Sequence, residues 1–346
     1  MPQYEKRYFA AANSCNGFVS FFDDIYKNVD KLYIIKGGPG TGKSKLMRDI
    51  ANEACNKNYD VEYFYCSSDP LSLDGIIITD LNLGVIDGTA PHIRDPKFPG
   101  ICEEIVNTGD FWKVPVLNVK HDLIRDIINR KGDLYDSVYR YLAAADEIDC
   151  DIKSITCASV NYDKLISAVK RIAKTIKSGS GYNSKIRMLN AISVEGEVSL
   201  PTFHDLAEHN YIIRDNYNTA YILLRELLCI AKIKNQPVYV SYSPLNTAFE
   251  TALYFPEIST SFTIGESNVT DKIINMERFI DTDYIKQHKN KIKFGQRCYR
   301  ALIDGALDYL KEIKSLHTTL ESIYISAMDF KRKEEFTKKL LIKMFK

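Results

Sequence analysis

The sequence predicts an α/β protein. It reads as a parallel sheet wrapped by helices, built as two tandem copies, the second degenerate, with helical segments ending each copy. Three observations carry this. An apolar run, Lys31-Leu32-Tyr33-Ile34-Ile35-Lys36, leads into Gly37-Gly38-Pro39-Gly40-Thr41-Gly42-Lys43-Ser44 and then into a helical pattern. Strand-like and helix-like segments alternate with short connections. Finally, Tyr33-Ile34-Ile35-Lys36 recurs 178 residues later as Tyr211-Ile212-Ile213-Arg214.

In the first copy, β-rich apolar runs place strands at 32–36, 61–66, 75–79 and 83–87, with patterning that fits burial on both faces. Residues 45–57 follow the glycine loop as a helix, with Leu46, Met47, Ile50 and Ala54 at helical spacing. A turn-rich stretch, 87–109, contains Pro91, Pro96, Pro99 and Gly100. Long helical periodicity covers 118–148, and a second helix covers about 163–177. Ser178-Gly179-Ser180-Gly181 then breaks the pattern. This divides the chain into a domain 1–180, with its helical segment 118–178, and a domain 181–346.

The echo continues through the second copy with a one-residue slip. Val61 to Tyr65 matches Val238 to Tyr242, and Ile76 to Leu81 matches Leu253 to Ile258. Tyr139-Arg140-Tyr141-Leu142 matches Tyr299-Arg300-Ala301-Leu302 at an offset of 160, which implies that about twenty residues are missing from the second copy. There the glycine loop becomes Asp215-Asn216-Tyr217-Asn218-Thr219-Ala220-Tyr221-Ile222. Glycine and lysine are gone, and Asp215 brings a charge that repels anions. The end of the chain, 294–345, repeats the helical part. Phe336, Leu340, Leu341 and Met344 are spaced among lysines as in a docked helix with a solvated basic face; a membrane-surface or partner helix is the alternative.

The eight residues 37–44 match the phosphate-binding pattern G-x-x-x-x-G-K-[ST] in full, in the strand–loop–helix context that the pattern requires. Glycines let backbone N–H groups wrap a phosphate, and the start of the helix adds its dipole. The cofactor-binding set is Gly37, Gly38, Pro39, Gly40, Thr41, Gly42, Lys43, Ser44 and Lys45. Lys43 is expected to reach the β and γ oxygens of ATP, and the Ser44 hydroxyl to ligate Mg²⁺. Asp87 ends an apolar strand and is the expected metal-side carboxylate, with Asp69 and Asp80 as rivals. Lys43 and Asp87 are therefore the catalytic candidates. Gly88 follows Asp87 where motor-type ATPases commonly place a glutamate, so hydrolysis is expected to be slow, and Glu103 or Glu104 would have to substitute. His92 is a candidate for phosphate or substrate contact, against a water-exposed loop histidine. Ser67, Ser68 and Asp69 lie at a strand's carboxyl end, where ligands bind in open α/β sheets. Arg94, Arg125, Arg130 and Arg140 are candidates for an internal arginine finger.

At 346 residues two domains are expected. Net charge is +1, so composition gives no nucleic-acid signal, and no apolar stretch reaches membrane-spanning length. The charged N-terminus, Met1 to Arg7, has no signal-type apolar core after it, and a cytoplasmic location is expected. The eight cysteines show no C-x-x-C spacing and read as reduced packing residues.

Several runs together resemble a family of bacterial tandem P-loop NTPases, mainly from Gram-positive spore formers, labelled ATPase or nucleotide kinase. They are Lys36 to Ser44, Cys66 to Pro70, Ser72 to Gly75, Asp87 to His92, Gly109 to Trp112 and Tyr139 to Leu142. The resemblance covers residues 1 to about 180. Members often carry a usable loop in each half, and this chain departs from them at 215–222. The expectation is one active and one degenerate half binding ATP and Mg²⁺. Slow hydrolysis would act as a switch. The alternatives are a kinase with a small-molecule phosphate acceptor, or a nucleotide-gated protein that acts through a protein partner.

Overall fold

A computed structural model describes residues 5–266 and 270–346. Residues 1–4, part of the N-terminal segment read for a leader, lie outside the described residues, as do 267–269. The first half runs β1 (Lys6–Phe9), β2 (Ala11–Ser14), β3 (Gly17–Ser20), α1 (Phe22–Ile25), β4 (Lys31–Lys36), α2 (Lys43–Asn56), β5 (Val61–Tyr65), β6 (Leu73–Ile78), β7 (Leu83–Asp87), β8 (Glu103–Asn107), α3 (Val114–Asn118), α4 (His121–Ala158) and α5 (Tyr162–Ala173). The second runs β9 (Ser184–Ile186), β10 (Asn190–Ser193), β11 (Gly196–Ser199), α6 (Thr202–Leu206), β12 (His209–Arg214), α7 (Ala220–Ile233), β13 (Val238–Tyr242), β14 (Glu250–Phe255), β15 (Thr260–Ile264), β16 (Lys272–Asn275), α8 (Thr282–Ala327) and α9 (Phe330–Met344).

Among the described residues these strands form two six-stranded sheets with one topology, β1-β5-β6-β7-β4-β8 and β9-β13-β14-β15-β12-β16. The expected all-parallel sheet is corrected in each half. β6 and β14 run antiparallel to both neighbours, while the remaining pairs are parallel. The cause is connection length: residues 66–72 and 79–82 are too few for the crossover that a parallel neighbour needs. β8 lies inside the stretch read as turns. It is an edge strand, and Glu103-Glu104 hides its apolar signal. The hairpins β2–β3 and β10–β11 were also not expected, because their buried residues are mostly small or polar.

The repeat is therefore present element by element, but one alignment changes. β8 and β16 end at Asn107 and Asn275, an offset of 168. α3 with α4 spans the same register as α8, and the N-caps Asn161 and Asp329 of α5 and α9 also lie 168 apart. Tyr139 is thus equivalent to Leu307, not to Tyr299. The shortening occurs before β16 and amounts to about nine residues, the change in offset from 177 to 168. The Tyr-Arg match falls eight residues out of register on a helix face, where aromatic residues recur.

α4 and α8 pack antiparallel along their length. Val138, Leu142 and Ala145 meet Ile303, Ala306, Leu310 and Ile313. Nearer the other end of α4, Ile152 packs so close to Gly295 that a Cβ there would come within 2.8 Å of it. Each long helix carries its successor to the opposite sheet. Leu165, Ala168 and Val169 of α5 join the core formed by α7 and β12–β15. Leu340 and Met344 of α9 join the core of α2, β4 and β5. Two bridges repeat the exchange, Trp112 with Met328 and Val160 with Ile280. The helical segment 118–178, assigned by chain order to the first domain, therefore ends packed on the second. The halves also share a core in which Tyr8, Phe64 and Ile77 meet Phe203, Ala252 and Tyr254. Phe9 N donates to Met188 O at 2.9 Å, an antiparallel bridge between the halves. No helix of the described residues is long and apolar enough to cross a membrane.

Candidate functional site

β4 is buried on both faces between β7 and β8, and its carboxyl end delivers the 37–44 loop to the start of α2. α2 is pinned to the sheet by Leu46, Met47, Ile50, Ala51 and Ala54. Gly40 and Gly42 have left-handed φ values of 69° and 75°, a conformation that other residues adopt only with strain. Space forbids a side chain at Gly40, against backbone, and at Gly42 a side chain would have to displace the end of Lys333. A Cβ on Gly40 would lie 2.7 Å from Glu321 O, and one on Gly42 2.5 Å from Lys333 Nζ. Among the described residues no protein acceptor takes the N–H of Gly40, Thr41, Gly42, Lys43 or Ser44. The loop therefore presents a row of backbone donors at a helix start, which is an anion-binding arrangement.

Lys43 Nζ donates to Gly37 O and Gly38 O, each at 2.9 Å, and stands 3.5 Å from Asp87 Oδ2. Asp87 ends β7, the strand beside β4, as its position in the sequence implied. Its Oδ1 accepts from Thr89 N at 2.9 Å and Thr89 Oγ1 at 2.5 Å, so the Asp-Gly turn and the charge pair use different oxygens. Ser44 Oγ accepts from Leu73 N at 3.0 Å and keeps its own proton and a lone pair. Thr41 Oγ1 donates to Gly38 O at 2.9 Å. Pro39 sits partly buried in the turn. Lys45 points outward to Asp49, 3.7 Å away, so it offers the loop only its backbone.

The floor and roof of the loop come from residues to which the sequence assigned no role at the loop. Thr108 Oγ1 donates to Lys36 O at 2.9 Å and sits 3.1 Å from Thr41 Oγ1. Trp112 and Tyr324 pack on Gly38. Lys333 Nζ donates to Gly42 O at 2.9 Å. Burial lowers the ammonium's pKa from its usual range. Lys333 was counted in the solvated basic face, yet it shares the spacing of the buried Thr337, Leu340 and Met344. That periodicity could have found it.

Other candidates separate by position. His92 is not a water-exposed loop residue. It is buried between Phe18 and Phe22, with Nε2 2.9 Å from Asp74 Oδ2. Asp69 pairs with Lys314 of α8. Ser68 accepts from Asn13 Nδ2 at 3.1 Å, and Ser67 Oγ is buried without a hydrogen-bond partner. Asp80 and Glu103 are corrected as site residues. β7 and β8 run parallel to β4, which puts Asp80 and Glu103 at the opposite end of the sheet. Asp80 there accepts from Asp60 N, and Glu103 binds Arg94 and the backbone of Lys97 and Phe98. Glu104, next to Glu103, bonds Lys343 and faces Lys31. Arg94 is held by Glu103 and Asp23 at 3.0 and 2.9 Å, and Arg130 by Glu312. Arg125 and Arg140 are exposed on α4.

The second loop fills its own donors with a side chain. Asp215 Oδ2 accepts from Ala220 N at 2.6 Å, and Oδ1 from Tyr217 N at 3.1 Å and Thr219 Oγ1 at 3.2 Å. Ala220 opens α7 as Lys43 opens α2, so the carboxylate satisfies a backbone donor whose counterpart is free in the first loop. Asn218 keeps the left-handed conformation of Gly40, with φ 55°. Tyr221 reaches Cys157 Sγ at 3.1 Å. The second loop is one residue shorter, so α2 and α7 match at an offset of 177. Lys43, Ser44, Asp87 and Lys333 are therefore replaced by Ala220, Tyr221, Ile264 and Leu165, rather than the lysine by Tyr221.

Comparison with protein-family models, curated proteins and solved structures gives no match to this chain. What the site can do is read from its own chemistry. Among the described residues no group of three or more His, Cys, Asp or Glu is arranged to hold a metal. Ser44 and Asp87 are oxygen donors suited to Mg²⁺, but they are too few without oxygens from a bound anion.

Proposed function

We propose that the first half is a P-loop NTPase domain that binds one nucleoside triphosphate, ATP, together with Mg²⁺, and hydrolyses it slowly. One observation carries the reading. Among the described residues the backbone N–H groups from Gly40 to Ser44 have no protein acceptor, while in the duplicate loop the Asp215 carboxylate fills that role at the start of α7. Backbone N–H groups from Gly40 to Ser44 would hold the phosphates. Lys43 would exchange its carbonyl partners for phosphate oxygens, and Ser44 with Asp87 would hold the magnesium, which supplies charge for the leaving phosphate. Lys43→Ala in the full chain is expected to abolish binding and turnover, because an ammonium acting in a poorly hydrated loop is worth several kcal/mol. Calorimetric titration of the wild type is expected to give one ATP per chain. Unchanged binding in folded Lys43→Ala, or two sites per chain, would sink the assignment.

A second reading, a nucleotide-gated switch, is favoured by the roof of the site. Glu321 and Tyr324 on α8 and Lys333 on α9 touch the loop of the first half but follow the sheet of the second. Ligand that displaced them would act on both halves. A phosphate-acceptor screen with γ-labelled ATP separates hydrolase from kinase.

A further inference from the structure

In this reading the site lacks a group to activate water, and the nearby carboxylates can be taken in turn. Asp87 is committed to Lys43 and Thr89, Asp74 to His92 and Asp69 to Lys314. Glu103 and Glu104 lie on the edge strand, with Glu103 at the far end of the sheet. Glu321 remains. It belongs to α8, whose backbone at this residue already rests on Gly40. Its side chain is partly open, at 38% exposure. His317 lies one turn earlier on the same face, with Nε2 3.6 Å from Glu321 Oε1. The other ring nitrogen, Nδ1, is 2.9 Å from Lys131 Nζ on α4. An ammonium only donates, so Nδ1 accepts and the ring proton sits on Nε2, facing the carboxylate.

The duplicate half supports a link with the loop's chemistry. At the 168-residue offset Glu321 becomes Lys153 and His317 becomes Asp149. Those two pair with each other at 2.6 Å, and Asp149 accepts from Asn218 at 3.0 Å. The position of Glu321 has thus lost its carboxylate in the half that has also lost the lysine, serine and aspartate, and the acidic member of the pair stands one turn away.

We propose that Glu321, supplied from the second half of the chain, is the general base of nucleotide hydrolysis in the first half, with His317 and Lys131 as positioning residues. The inference rests on the nucleotide reading above. Glu321 takes a proton from water as the water oxygen bonds to the γ-phosphorus. The bond from that phosphorus to the β–γ bridging oxygen breaks, giving nucleoside diphosphate and inorganic phosphate. The titratable and charged groups facing Glu321 are Lys314 and His317 on α8, Lys131 on α4 and Lys43 of the loop. Contact with His317 outweighs burial and keeps the carboxyl below its ordinary value, so it is ionised at neutral pH.

The test uses the full chain, with ATP and Mg²⁺, and measures nucleotide binding and single-turnover hydrolysis side by side. Glu321→Gln keeps size and helix propensity. It is expected to slow the chemical step about a hundredfold or more, with affinity changed less than about threefold. His317→Gln is expected to move the acid limb of the pH–rate profile upward, since Glu321 loses the neighbour that favours its charged form; a merely structural role would leave that limb in place. Glu321→Gln turning over at the wild-type rate overturns the proposal, and so does loss of affinity equal to the loss of rate. A wild type that binds ATP without forming product overturns it while leaving the binding site standing. A wild type that does not bind ATP removes the nucleotide reading and this inference with it.

Discussion

At the scale of single residues, Asp87 and His92 make opposite use of a carboxylate. Asp87 divides its oxygens between the turn at Thr89 and the charge of Lys43. Asp87→Asn keeps an acceptor for Thr89 and removes only the charge. The fold should survive, and magnesium-dependent turnover should fall about a hundredfold while magnesium-free nucleotide binding stays near wild type. Full activity at limiting Mg²⁺ would leave Asp87 a turn residue only. For His92, burial alone would push the imidazole down, but nearby Asp74 outweighs it and holds the pKa above its ordinary value. A raised folded pKa gives stability that is complete below the unfolded value, about 6.5, and is lost as pH rises through the folded value. Denaturant midpoints measured from pH 6 to 8.5 should therefore fall for the wild type and flatten in Asp74→Asn. Parallel curves for the two proteins would refute this. Lys43 and Ser44 were legible as candidates because the loop pattern is local, and Asp87 because it ends an apolar strand. Trp112, Glu321 and Lys333 reach the loop only through long-range packing, so no local pattern marks them as its roof.

At the scale of elements, helix length determines where α5 and α9 dock. α4 has 38 residues and α8 has 46. At 1.5 Å per residue they span about 57 and 69 Å, more than a small domain's diameter. Residues 159–161 and 328–329 are too short to bring the chain back, so each following helix packs on the sheet at the far end. Leu340 of α9 is 5% exposed in the first half's core. Leu340→Ala is expected to cost about 2–5 kcal/mol, with hydrogen-exchange protection lost first in β4 and α2, although α9 follows the second half in sequence. Protection lost first in β12 and α7 would show that α9 supports its own half. The sequence did reveal both helices and the apolar face of α9, since a 3.6-residue period is local. It did not reveal their partners, because any sheet face of suitable polarity would satisfy that period.

At the scale of the whole molecule, the halves are joined by a buried charge pair as well as by exchanged helices. Arg187, beside β9, bonds Glu62 of β5 at 2.7 Å, with both side chains at most 5% exposed. The guanidinium also lies against Tyr8, Phe64 and Tyr239, 5.2–5.7 Å from their ring centres. Glu62→Gln leaves that cation buried without its counter-charge and is expected to cost about 3–5 kcal/mol. Replacing both residues with methionine should cost less, because no charge is then stranded. Urea unfolding of the single and double variants gives the comparison, and a double variant less stable than Glu62→Gln would overturn it.

The sequence by itself determined the doubled α/β plan, the strand–loop–helix around Gly37 to Ser44, and the loss of the glycines and the lysine from the duplicate loop at Asp215 to Ile222. Each is written in residues close together, where glycine freedom, strand periodicity and charge act directly on their neighbours. Tertiary structure alone decided the antiparallel β6 and β14, the edge strand β8, the true register of α4 against α8, and the docking of each half's last helix on the other. Those outcomes depend on the reach of short connections and long helices, and on which buried surface lies at their ends. Such information belongs to the folded chain as a whole.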